Sequence, residues 1–155
     1  MKSPLFQFES EFVDSLRCIP MVVRKQLDVS GVKLKLNEWS KLSQAQRLTV
    51  VHKPCDTAEE ISTYRNDLST LITSACGAPP SMLAELPEPV WETGGAVPDQ
   101  VVQQAKSLGQ IVSQGSWAAL SPLQRFALIK LSRPGHENRN FLPALTEFGL
   151  AKPAA

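Results

Sequence analysis

Apolar and polar positions along this chain follow mostly the three-to-four spacing of amphipathic helices. Thr57-Ala58-Glu59-Glu60 has capping-box spacing, in which a hydroxyl and a carboxylate three residues apart satisfy each other's backbone donors. Behind it Ile61, Tyr64, Leu68, Leu71, Ile72 and Ala75 mark one face of the longest predicted helix, 57–76. The same reading predicts helices over 10–17, 20–30, 43–53, 98–108 and 121–132, with a seventh near 141–148. Pro20 and Pro98 stand at helix starts, and Gly31 and Gly109 just past helix ends, as the Pro/Gly asymmetry expects. Phe126 to Leu131 is apolar almost all round, so that helix is expected to be central and buried. Residues Val32 to Leu36 alternate as a short extended piece would, but no second stretch stands out as its partner. The fold class that follows is all-α, a compact helical domain of about six to seven helices.

The pattern also repeats. A shift of 78 residues lays Pro20, Val23, Gln26 and Gly31 over Pro98, Val101, Gln104 and Gly109 without a gap. Trp39, Leu42, Ser43, Gln46 and Arg47 then fall on Trp117, Leu120, Ser121, Gln124 and Arg125. These nine identities between residues 19 and 53 compare with about two expected from average composition. The shared W-x-x-L-S-x-x-Q-R string again has capping-box spacing, and Pro122 takes the first helical position of the second copy. Capping grammar explains the Ser and Gln, but not Trp, Gly and Pro at one common offset. The expected organisation is therefore a single domain, 1–155, built from pseudo-repeats 19–54 and 97–132. An acidic helix and a Pro-rich strap, 57–97, join them. Between Gly77 and Pro98 lie five prolines and three glycines, with Met82, Leu83, Leu86, Val90 and Trp91 embedded. A flexible linker would not carry so many apolar anchors, so a strap over the helices is expected, with Trp91 pinned to the core.

Charge changes the picture more than composition does. Hydrophobic residues at 43% and charged ones at 20% are ordinary for a globular protein, and the formal net charge is +1. Counted by segment, 1–55 is net +4, 56–99 net −7 and 100–155 net +4. The acidic middle either complements the basic ends within the molecule or leaves a basic face for an acidic partner. Near-neutrality overall and few aromatics argue against a dedicated nucleic-acid binder. No apolar stretch near the N-terminus suits a signal peptide, and none elsewhere suits a membrane span, so a cytoplasmic protein is expected. Cys18, Cys55 and Cys76 form no CxxC pair and fit reduced thiols.

Candidate chemistry is sparse. His52, Cys55, His136 and Cys18 fall at helix ends or starts, and a zinc site would need the fold to gather them. Their spacing matches no ligand pattern, and capping, packing and turn roles explain them better. No catalytic signature surrounds any cysteine, and both phosphate-binding glycine motifs are missing. The most unusual stretch is Ser132-Arg133-Pro134-Gly135-His136-Glu137-Asn138-Arg139-Asn140, nine polar or turn residues between an apolar helix and Phe141-Leu142. It is donor-rich, suited to a carboxylate or phosphate on a partner. The simpler reading is a solvated turn whose Arg133 and Arg139 bond helix-end carbonyls or Glu137.

At this loop the chain resembles a known family. The run from Gln124 through Ser132-Arg133-Pro134-Gly135-His136-Glu137-Asn138-Arg139-Asn140-Phe141, with Glu147-Phe148-Gly149-Leu150, is similar to the C-terminal signature of the nitrate reductase-associated protein family. Phe6-Gln7-Phe8-Glu9, Leu16-Arg17-Cys18-Ile19-Pro20-Met21, Val23-Arg24, Gly31 to Leu36, Trp39 and Tyr64-Arg65 agree with it, so the resemblance spans 6–150. It implies a non-catalytic accessory protein needed for maturation or activity of assimilatory nitrate reductase. That enzyme carries a molybdenum–pterin cofactor and an iron–sulfur cluster. The implied partner is the reductase in apo or holo form, met by protein–protein docking. No nucleic acid, membrane, metal or cofactor of the chain's own is expected, and self-association is left open. The contact surface is expected to include Arg17, Cys18, Met21, Arg133, His136, Glu137 and Arg139. The alternative is a small metal- or cofactor-handling protein using Cys18, Cys55 and His136.

Overall fold

A computed structural model of the chain describes residues 4–10 and 16–151. It is mostly helical, with eight α-helices and one pair of two-residue strands among the described residues. The chain divides into two compact units, Met1–Glu88 and Pro89–Ala155, with the boundary inside the Pro-rich stretch.

The first unit holds a 3₁₀ turn at Gln7–Glu9, then α1 (Met21–Ser30), β1 (Val32–Lys33), α2 (Leu36–Ser40), α3 (Gln44–His52), α4 (Ala58–Cys76) and β2 (Ser81–Met82). Its core gathers Tyr64, Leu68 and Ile72 of α4 with Val23 and Leu27 of α1, Trp39 of α2, and Val50 and Val51 of α3. The apolar stripe of α4 therefore faces inward as its spacing predicts, and the Thr57–Glu60 capping box is formed. Gly31 ends α1 in the left-handed region, φ 76°, with its N–H on the Leu27 carbonyl. That conformation costs a residue with a Cβ about 1–2 kcal/mol. The alternating piece after Gly31 does find a partner: Val32 lies opposite Met82 and Lys33 opposite Ser81, antiparallel. Leu83 N–H adds a bond to the Gly31 carbonyl at 2.8 Å. The helix expected over 10–17 falls largely on 11–15, outside the described residues. Its last two positions, Leu16 and Arg17, are not helical, and Leu16 has φ 57°.

The second unit holds α5 (Asp99–Ser107), α6 (Gln114–Ala119), α7 (Pro122–Leu131), a 3₁₀ turn at His136–Asn140 and α8 (Phe141–Glu147). Helix α7 is buried on nearly every side, from Arg125 to Ile129 and again at Leu131. Trp91 is buried and packs edge-on against Phe126, ring centroids 5.1 Å apart. The other apolar residues of the Pro-rich stretch differ from it. Leu83 is half-buried, while Met82, Leu86 and Val90 are exposed.

The same local devices recur at the 78-residue offset. Ser43 and Gln46 cap α3 reciprocally at 2.8 and 3.1 Å, and Ser121 and Gln124 cap α7 at 2.9 and 3.1 Å. Trp39 and Trp117 are fully buried on the short helices α2 and α6, which the hydrophobic pattern misses. Arg47 donates to the carbonyls of Trp39 and Ser40 at 3.2 and 2.7 Å. Arg125 reaches the corresponding carbonyls of Trp117 and Ala118, both at 3.3 Å, and adds Leu120 at 2.5 Å. It then extends to Trp91 and Glu92 carbonyls at 2.7 and 3.1 Å, so one buried guanidinium clasps the start of the second unit to α6 and α7.

Candidate functional site

The residues expected at the contact surface fall on both units: Arg17, Cys18 and Met21 on the first, Arg133, His136, Glu137 and Arg139 on the second. In the first unit they occupy the turn that leads into α1. Pro20 is the N-cap of α1 and offers no side-chain acceptor to the helix's free N–H groups. Glu9 supplies one from twelve residues away, its two carboxylate oxygens 3.3 and 3.4 Å from Met21 N. Glu9 is 1% exposed, and a carboxylate at a helix N-terminus is also favoured by the helix dipole. At the other side of the turn, Trp39 Nε1 donates to the Leu16 carbonyl at 2.7 Å. The Phe6–Glu9 and Leu16–Met21 strings, separate in sequence, thus meet at one turn and brace it together. Arg17 is exposed there and Cys18 is a half-buried free thiol. Met21, expected as a deformable contact for a partner, is 4% exposed in the free chain.

In the second unit the polar loop leaves α7 at Ser132, which is buried and bonds back to the Ile129 carbonyl at 2.8 Å. Gly135 has φ 136° and ψ −174°, a region essentially reserved for glycine, and redirects the chain into the 3₁₀ turn. Asn138 holds the loop from inside: its Nδ2 reaches the Arg133 carbonyl at 3.3 Å, and its Oδ1 accepts from Gln104 Nε2 at 2.9 Å. Phe141 then buries completely at the head of α8. Between these anchors Arg133, Glu137 and Arg139 are exposed. Among the described residues no hydrogen bond or ion pair is seen for the guanidinium groups of Arg133 and Arg139. The backbone of His136 begins the 3₁₀ turn, and its side chain lies outside the described ones. What the loop offers is two exposed guanidinium forks on a braced backbone, chemistry matched to carboxylates or phosphates. Sequence reasoning named Arg133 and Arg139 but not Asn138 or Glu9, whose roles depend on contacts across 34 and 12 residues.

Cys55 has a different character. It is buried in the first unit's core, and burial pushes its thiol up to about 11, against a smaller opposing pull from Lys25. A thiol so placed is protonated at neutral pH and neither a nucleophile nor a ready metal ligand. Among the described residues no three His, Cys, Asp or Glu side chains stand close enough to hold a metal ion. No helix among them is long and apolar enough to cross a membrane.

Fold and loop together define a class, a small helical protein that presents a braced, arginine-bearing loop at the end of a buried central helix. A family model matches residues 5–148, and the chain belongs to the conserved nitrate reductase-associated protein family. No match was found among curated proteins or among solved structures.

Proposed function

We propose that this chain is a non-catalytic accessory protein for a molybdenum-cofactor nitrate reductase, acting by docking during maturation or activation of that enzyme in the cytoplasm. Family membership supplies the partner, and the observation that carries the docking site is the exposed pair Arg133 and Arg139, without a guanidinium partner among the described residues, on a loop pinned by Asn138. Each guanidinium pairs with a carboxylate or phosphate at the reductase surface, with Glu137 setting orientation and His136 and the Arg17–Cys18 turn contributing further contacts. Charge-assisted bonds of this kind contribute about 1.5–3 kcal/mol apiece, so losing both weakens binding by about a hundredfold or more.

The test is co-purification of the full chain with apo-reductase, with and without Arg133→Ala plus Arg139→Ala. Both positions are exposed, so the double variant keeps its fold within about 0.5 kcal/mol. Loss of the complex with retained helicity supports the site; an undiminished complex and full reductase activity overturn it. Comparing affinity for apo and holo reductase separates a transient maturation factor, which prefers the apo form, from a permanent subunit. Metal analysis of reductase accumulated without this chain identifies the step: missing molybdenum, missing cluster, or both present in an inactive enzyme.

A further inference from the structure

A second surface, unused by the reading above, lies wholly within the first unit. Helices α3 and α4 leave a cavity of about 290 Å³ between them, floored by Val50, Tyr64, Leu68 and Leu71. A smaller one of about 180 Å³ continues past Lys53 toward Glu59, Glu60 and Thr63. Together they track one side of α4 from Glu59 to Leu71, which at 1.5 Å per residue is about 18 Å.

Two features say what this groove takes. The first is size. About 290 Å³ sits at the lower edge of pockets that enclose drug-sized ligands, which suits one large side chain rather than a nucleotide-sized cofactor. The second is polarity. The rim carries Asp67, Glu59 and Glu60 against a single cation, Lys53, which is already ion-paired with Asp67. Glu59 is exposed and has no ion pair among the described residues, and the segment 56–99 is net −7. Beneath the rim, Tyr64 is fully buried, yet its hydroxyl has no hydrogen-bond partner among the described residues. That hydroxyl is closed off from solvent, so what Tyr64 offers the groove is part of an apolar floor.

We propose that this groove is a docking site for a basic segment of a partner protein, which inserts one large apolar side chain between α3 and α4. Asp67 and Glu59 receive the segment's flanking Lys or Arg side chains. Tyr64 forms part of the apolar floor beneath the inserted residue. The arrangement is an anchor pocket with a charged rim, the usual form of an interface hot spot. Its sign is opposite to that of the Arg133–Arg139 loop, so the two surfaces select different chemistry.

The experiment uses the full chain and a fluorescein-labelled 12-residue amphipathic peptide with Leu on one face and Lys on the other. A copy with Glu at every Lys position is the control. The cationic peptide is expected to bind in the micromolar range and at least about tenfold tighter than its charge-reversed copy. Thr70→Trp, at an exposed position of the cavity wall, abolishes binding and leaves the fold intact. The Arg133→Ala, Arg139→Ala variant binds the peptide unchanged, which separates this site from the one proposed above. Equal affinity for the two peptides, or full binding by Thr70→Trp, overturns the proposal. Leucinamide binding as tightly as the peptide would replace it with a small-molecule site. A dimer of the chain that Thr70→Trp dissolves would replace it with self-association.

Discussion

Replacing Arg125 with Ala is the sharpest test of how the second unit holds together. Arg125 is 4% exposed and gives its donors to five backbone carbonyls, those of Trp91, Glu92, Trp117, Ala118 and Leu120, at 2.5 to 3.3 Å. No carboxylate pairs with it among the described residues, and these carbonyl dipoles face its charge. Removing one side of a buried charged network costs about 3–5 kcal/mol, because the remaining groups are left desolvated without partners. Arg47 is the internal control. It occupies the corresponding place in the first unit but is only half-buried and reaches two carbonyls, so Arg47→Ala costs about 1 kcal/mol. Arg125→Lys keeps the charge but not the fork, and one ammonium cannot span both carbonyl groups, so at least about 2 kcal/mol is lost. Urea unfolding followed by tryptophan fluorescence measures all three. At about 2 kcal/mol per molar, Arg125→Ala moves its transition down by about 2 M. A loss for Arg125→Ala within about 1 kcal/mol of that for Arg47→Ala would refute the reasoning.

Three further outcomes follow from the geometry. Gly31→Ala places a left-handed φ of 76° on a residue with a Cβ and sets that atom 2.9 Å from Leu86 Cδ2, so thermal melting reports a loss of about 1–2 kcal/mol. Cys55, with its thiol raised from 9.0 to about 11, carries about a hundredfold less thiolate at pH 8 when folded than when unfolded, and iodoacetamide labels it correspondingly slower in the native chain. Because that shift is upward, the stability it contributes is present below pH 9 and falls as pH rises toward 11, which a melting series across that range detects. Glu60 is shifted the other way, held below its ordinary 4.5 by the backbone N–H groups of Thr57 and Asp56. The α4 cap is therefore intact above that value and lost as pH falls through the lowered one. Amide shifts of Asp56 and Thr57 should titrate with a midpoint under 4.5, and a midpoint above it would contradict the capping geometry.

Much of the fold is legible in local grammar. The capping boxes at Ser43, Thr57 and Ser121, the stripe of α4, the all-apolar α7 and the burial of Trp91 are each decided by residues within a turn or two, or by plain hydrophobicity. What escaped is either short or distant. Helices α2 and α6 have five and six residues, too few for a periodicity to declare itself. The two-residue pairing of Val32–Lys33 with Ser81–Met82 is closed by residues about fifty positions apart, inside a stretch whose prolines argue against any strand. The candidate site divides the same way. Arg133 and Arg139 announce themselves by composition, whereas Asn138, Glu9 and the burial of Met21 exist only because the chain returns to the same place.

The Arg125 clasp has one more consequence. Every acceptor it uses belongs to the main chain, so it senses where the backbone runs and is indifferent to which side chains hang there. Glu92 and Ala118 are exposed, and the clasp holds them through their carbonyls alone. The course of that segment is thus set through its main chain rather than through the side chains it carries.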